Sequence, residues 1–211
     1  MSNLDLVTVQ VPVKHNVLVL GHSFVARLGN DVSRIPSLRP DFEIDQAVVH
    51  CLGFRGGVVG HLIEDTSGKL HHELHTFRPE MVILQIGGND IDNKQNYHPQ
   101  VYMESVKHFI TKLQTVYQVQ KVVLCEIFPR RKVRQTDVDF YNEEKDMLNR
   151  ELDSHYSVRH PSPGVVFWYH RGGITSSEGY FDKHGVHLND EGTKRFYFSI
   201  RRAIGSIYPE W

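Results

Sequence analysis

The sequence predicts an α/β domain, a doubly wound three-layer α/β/α sandwich with a central parallel sheet of five strands. Three observations carry that prediction. Five short apolar runs rich in β-branched residues punctuate the chain, stretches with helical spacing lie between them, and 211 residues suit one such domain. Strands hydrophobic on both faces must be covered on both. Right-handed crossovers achieve this by placing a helix after each strand.

In chain order, residues 1–15 read as an N-terminal extension and 16–211 as a single domain. The first strand is "NVLVLGH" (16–22), followed by a helix over 24–34. "DQAVVHCLG" (45–53) is the second strand, and the helical region over 57–76 is interrupted around Ser67 and Gly68. After the third strand, "EMVILQIGG" (80–88), Tyr102, Val106, Phe109, Leu113 and Val116 recur at steps of four, three, four and three. That spacing sets one face of a helix over 98–117 inward. "QKVVLCEIF" (120–128) leads to a helix over 138–155 with Phe140, Met147, Leu148 and Leu152 inward, then to the fifth strand, "GVVFWYH" (164–170). Asn189 or Asp190 caps the last helix, which buries Phe196, Ile200, Ile204 and Ile207.

Composition narrows the function classes. With 24 Lys plus Arg against 25 Asp plus Glu, the net charge of -1 and pI near 6.9 provide no overall field to attract nucleic acid or a membrane surface. No apolar run approaches the ~18 residues of a membrane span. Cys51 and Cys125 lie in apolar runs and are too few for a disulfide framework. The reading is an intracellular, cytoplasmic protein with two free thiols.

In a doubly wound sheet the ligand site lies beyond the carboxyl ends of the strands. Four loops there matter. Ser23, in "VLGHSFV", sits where the first strand meets the first helix; it is either an N-cap serine or a nucleophile whose own N–H helps hold an oxyanion. "CLGFRGG" offers a glycine N–H at Gly56, or an ordinary turn. In "IGGND", Asn89 can present its amide as a further donor, and the same residues make common loop punctuation. "FDKHGVHLND" carries His187, a general base for Ser23 or a surface histidine.

Taken together, "GHS", "FRG", "GGND" and "HGVHLN" resemble the four blocks of the SGNH (GDSL-type) hydrolase superfamily. They are in its order, with 33 residues from Ser23 to Gly56, 33 more to Asn89 and 98 to His187. The resemblance covers about 16–207 and implies a flavodoxin-like sandwich with esterase, lipase, thioesterase or deacetylase chemistry. It implies no cofactor, with Ser23 as nucleophile, His187 as base and Ser23, Gly56 and Asn89 forming the oxyanion hole. "VLVLGHSFV", "IFPRR", "YNEEKDMLN" and "VHLNDEGTKRFY" are also similar to SGNH-like domains encoded by eukaryotic retroelements.

Two positions depart from the family. His22 stands where it usually has Asp, which puts loop packing in question. The triad acid normally sits three residues before the catalytic histidine, and that position is His184. Asp182 is the candidate acid if the loop delivers it, and Glu178 is the remoter choice. A Ser–His pair without its acid still works, about 10⁴-fold more slowly; the expectation is a slow esterase acting on small acyl esters.

Arg55, His22 and His184 are the candidate substrate-binding residues. A metal held by His22, His184 and His187 is a competing arrangement. His71 and His75 in "HHELH" stand one helical turn apart but lack a third ligand and read as a solvated face. The basic run "PRRKVR" (129–134) is either a solvated loop or an anion contact. It motivates the rival function, a catalytically impaired module that binds RNA or protein.

Overall fold

The computed structural model describes residues 14–93, 95–156 and 163–207; of the stretch 1–15 read as an extension, only Lys14 and His15 are described, and His15 already belongs to the first strand. Five strands form one sheet: β1 (His15–Gly21), β2 (Ala47–Gly53), β3 (Met81–Gln85), β4 (Lys121–Cys125) and β5 (Val165–Trp168). All are parallel, in the order β2-β1-β3-β4-β5. This is the flavodoxin-like order, and the three-layer sandwich expected from the sequence is the one observed.

The layers follow from the two-residue period of a strand. Val17 and Val19 of β1, with Met81 and Ile83 of β3, face α1 (Ser23–Arg34) and the C-terminal helix α7 (Asp190–Ile207). Leu18, Leu20, Val82 and Leu84 face the opposite way. They meet α2 (Val59–Glu64), α3 (Lys69–Phe77), α5 (Pro99–Thr115) and α6 (Val138–Tyr156). These strand residues are all fully buried. Each contributes on the order of 1.5–3 kcal/mol from removal of its side chain from water. A short helix, α4 (Gly88–Asp92), follows β3 directly, and a 3-10 turn covers Glu178–Tyr180. No helix among the described residues is long and apolar enough to cross a membrane.

Four inward assignments need correction. Val116 is 59% exposed, because α5 ends at Thr115 and Val116 stands beyond it. In α6, Phe140 and Met147 are only half-buried, and Tyr141, Leu148, Asn149 and Leu152 fill the interior. The polar members of that face are satisfied there. The Tyr141 hydroxyl donates to the Phe128 carbonyl at 3.0 Å, while Asn149 accepts from the Ile127 N–H at 2.8 Å and donates to its carbonyl at 3.1 Å. They pin the chain leaving β4, where the ladder with β5 has ended. Ile207, at the end of α7, is half-buried. Asn189 caps that helix by accepting from the Gly192 N–H at 2.9 Å.

Candidate active site

The β1/β3 seam is where strand order reverses, and the loops leaving these two strands stand side by side. β1 runs into α1 through His22 alone, whose N–H donates to the Gln85 carbonyl at 3.3 Å. A Cβ on Gly21 would collide with that carbonyl oxygen, so the turn needs glycine there. Ser23 is the first residue of α1 rather than its cap; the cap position is His22, which makes no side-chain capping bond. The Ser23 hydroxyl instead reaches His187, Oγ to Nε2 at 3.0 Å across 164 residues of sequence. Its N–H is among the four at a helix start that have no partner within the helix.

Gly56 stands in the left-handed region, φ 73°, in the loop after β2. Asn89 enters from α4. Its amide donates to the Gly57 carbonyl at 2.9 Å, and its Oδ1 accepts from Arg130 at 2.7 Å. With Oδ1 engaged by a cation, the amide is held with its N–H₂ toward the loop after β2; one of its two hydrogens is taken by Gly57. Arg130 is nearly fully buried. Its guanidinium donates to Asp92 at 2.6 Å and lies 5.2 Å from the centre of the Tyr141 ring. Asp92 also accepts from the backbone N–H groups of Arg134 at 2.8 Å and Gln135 at 3.2 Å. Gly88 leaves room for this assembly: a Cβ there would stand 2.9 Å from the Tyr141 hydroxyl and 3.2 Å from Arg130.

His187 lies on a tight antiparallel excursion. Phe181 bridges Leu188, and the Asp182 N–H donates to the His187 carbonyl at 2.7 Å. That pairing sets Asp182 opposite His187 despite the unusual spacing, with Oδ2 4.0 Å from Nδ1. Oδ2 is also 4.0 Å from Arg27, and Oδ1 accepts from the His184 N–H at 3.0 Å. Glu178 is not a candidate acid, since it pairs with Arg131 at 2.9 Å and its side chain is 87% exposed. Burial, together with the nearby charges of Arg27, Arg130 and Arg134, pushes the His187 pKa down to about 4, against an opposing pull from Asp182. The imidazole is therefore neutral at neutral pH, as a base must be.

Two expected substrate contacts are not in the cavity. His22 is 2% exposed beneath the site, and burial first, then Arg130 and His187, lower its pKa to about 3. His184 is exposed and outside the cavity lining. The buried His22 and the exposed His184 also stand apart as metal ligands, and no cluster of three or more metal-binding side chains occurs among the described residues. His71 stays on its helix face, hydrogen-bonded to the Tyr117 hydroxyl at 3.0 Å.

The cavity itself measures about 240 Å³ and is lined by Ser23, Gly56, Asn89 and His187 together with Arg27, Arg55, Arg130, Arg134 and Val186. Of these arginines the sequence reading singled out only Arg55 as a substrate contact. Arg27 was legible as the residue one helical turn after Ser23. Arg130 and Arg134 were visible only as part of a basic run, which the structure divides: Arg130 is buried, Arg131 pairs with Glu178, and Arg134 turns into the cavity.

A second serine–histidine pair lies in the core. The Ser199 Oγ is 3.0 Å from His170 Nδ1, and His170 Nε2 is 2.7 Å from the Gln85 side-chain oxygen. Ser199 accepts in addition from Trp168 at 3.1 Å and from the Arg171 N–H at 3.2 Å.

No family model and no curated protein matches the chain. Solved structures do. A GDSL-like lipase from Bacteroides thetaiotaomicron is 16% identical with a TM-score of 0.65, over 91% of this chain and 88% of that one. A lipase/acylhydrolase from Enterococcus faecalis is 15% identical with a TM-score of 0.64, over 91% and 96%. A catalytic mutant of an acetylxylan esterase from Geobacillus stearothermophilus is 15% identical with a TM-score of 0.61, over 92% and 96%. The chain shares the fold of these hydrolases across nearly its full length.

Proposed function

We propose that this protein is a serine hydrolase of the SGNH type that cleaves carboxylic esters of short acyl groups. The observation that carries the reading is the 3.0 Å Ser23–His187 contact at a cavity with further donors from two other loops. The shared fold with esterases and lipases supports it.

In this mechanism the Ser23 hydroxyl gives its proton to His187 Nε2 as Oγ attacks the ester carbonyl. The N–H groups of Ser23 and Gly56 and the free hydrogen of the Asn89 amide receive the oxyanion, and Arg130 holds that amide in place through Oδ1. His187 then returns the proton to the departing alkoxide, and a water repeats the cycle on the acyl-enzyme. Asp182 orients the imidazolium from 4.0 Å, beyond direct hydrogen-bond reach and with Arg27 competing for the same oxygen, so turnover is slow.

The rival reading, a module that binds RNA or protein, drew on "PRRKVR". It loses support because that run is not one exposed surface: its arginines are spent on Asp92, Glu178 and the cavity. The resemblance of the framing segments to retroelement-encoded domains bears on origin and is compatible with the enzyme.

Fluorophosphonate labelling of the wild type and of Ser23→Ala, with peptide mapping, tests the proposal. The expected adduct is on Ser23, with hydrolysis of a 4-nitrophenyl acetate reporter lost in the variant. A folded wild type that resists labelling, or a variant that hydrolyses as fast, would refute it.

A further inference from the structure

The same cavity has a charge imbalance that simple acyl-ester hydrolysis does not use. Arg27, Arg55, Arg130 and Arg134 converge on about 240 Å³ from α1, the loop after β2 and the loop after β4, and no carboxylate is in the lining. Two of the four are compensated: Arg130 by Asp92 at 2.6 Å, and Arg27 by Asp182 at 4.0 Å. Arg55 and Arg134 have no ion-pair partner within 4.0 Å among the described residues. Exposed Arg78, Arg150, Arg171 and Arg202 also lack one, so what sets Arg55 and Arg134 apart is that both line the small cavity that holds Ser23 and His187.

Gathering like charges around a small volume is unfavourable unless a ligand offsets it. The lining also lacks what a neutral acyl chain would need, since Val186 is its sole aliphatic side chain. A long chain would lie against guanidinium groups. A planar, forked guanidinium suits the oxygens of a carboxylate or phosphate, which it binds through paired hydrogen bonds. Resting on the serine-hydrolase reading, we propose that the substrate is a short acyl ester bearing a fixed carboxylate or phosphate, which Arg55 and Arg134 grip beside the scissile bond.

Such a charge would also serve the reaction. Burial first, then Arg27, Arg130 and Arg134, disfavour the imidazolium that His187 becomes when Ser23 attacks. A bound anion cancels part of that field at the moment the proton transfers. It thereby supplies some of the stabilisation that Asp182 gives only from a distance.

The anion can belong to the alcohol or to the acyl part, and paired esters separate the two. One pair is 4-acetoxybenzoate and its methyl ester; the other is phenyl hydrogen succinate and phenyl methyl succinate. At low ionic strength the anionic member of at least one pair is expected to have a kcat/KM higher by about tenfold or more. High salt should erode that ratio, and Arg55→Gln or Arg134→Gln should bring it toward one, with Arg→Lys retaining part of it. Ratios at or below one in both pairs at low salt would overturn the proposal. If Ser23 is labelled by fluorophosphonate in that case, the hydrolase reading survives and only the anion site fails. If no ester is turned over, titration of the Ser23→Ala protein with inorganic pyrophosphate and with 4-hydroxybenzoate decides. Binding that the arginine substitutions abolish supports the anion site independently of catalysis, and no binding of either at low salt overturns it.

Discussion

Two serine–histidine pairs share the same 3.0 Å separation in this molecule, and only one has the surroundings that the proposed hydrolysis needs. Ser199 sits in mid-helix, 2% exposed, and accepts from Trp168 and Arg171 while it bonds His170, which Gln85 holds at its other nitrogen. Its hydrogen-bonding capacity is spent. Ser23 occupies the start of a helix at a cavity, with an imidazole on one side and unspent N–H groups on the other. The distance between a hydroxyl and an imidazole therefore says little. What separates the pairs is whether nearby donors are free for a charge that does not yet exist.

The sharpest way to break that comparison is to remove each hydroxyl. Ser23→Ala should lower ester hydrolysis by about 10⁴-fold or more while the protein melts near the wild-type temperature. Ser199→Ala should keep the Ser23 adduct and lose about 1–3 kcal/mol of stability, because it strands the partners of that hydroxyl in the core. Comparable labelling of both serines would erase the distinction.

Acidification separates the histidines next. His187, at about 4, must be neutral to accept a proton, so the rate of Ser23 labelling should hold from neutral pH to about 5 and fall as pH drops through 4. His170 and His22 are lowered from 6.5 to about 3, by burial in His170 and by burial with neighbouring charge in His22. Their folded pKa lies below the unfolded one, so the unfolded chain takes up protons first. Stability should be full above 6.5 and fall as pH moves from 6.5 toward 3, by about 1.4 kcal/mol per unit for each histidine, in denaturant titrations at stepped pH.

The smallest effect sharpens the reactive pair alone. Replacing a directly bonded triad acid costs about 10⁴-fold; from 4.0 Å, Asp182→Asn should cost about tenfold or less in kcat/KM. A loss near 10⁴ would mean that the acid closes on His187 during turnover.

How far the sequence carries these conclusions depends on the range of the interaction involved. The five strands were legible because runs such as "VLVL" and "MVIL" are buried on both sides, which leaves a purely apolar signature. The inward face of α6 was legible only at Leu148 and Leu152, because Tyr141 and Asn149 owe their burial to main-chain partners at Phe128 and Ile127 that no local pattern shows. Ser23, Gly56, Asn89 and His187 could be read as local motifs, each in its own turn. The Asn89–Arg130–Asp92 assembly could not, since it joins positions about forty residues apart and makes an interior residue of an arginine from a basic run. His22 was misplaced for the converse reason: its neighbour Ser23 faces the cavity, and the turn buries the histidine beneath it.

The span of the Ser23–His187 contact, 164 residues, has a kinetic side. Contacts that distant close late, after the loop entropy of the intervening chain has been offset by other structure. On the proposed mechanism, the nucleophile is therefore in place before its base. On that mechanism, during refolding or emergence of the chain from a ribosome, Ser23 should stay inert until the segment carrying His187 docks. A fluorophosphonate pulse would time the last step of assembly, reporting the completed fold and nothing before it.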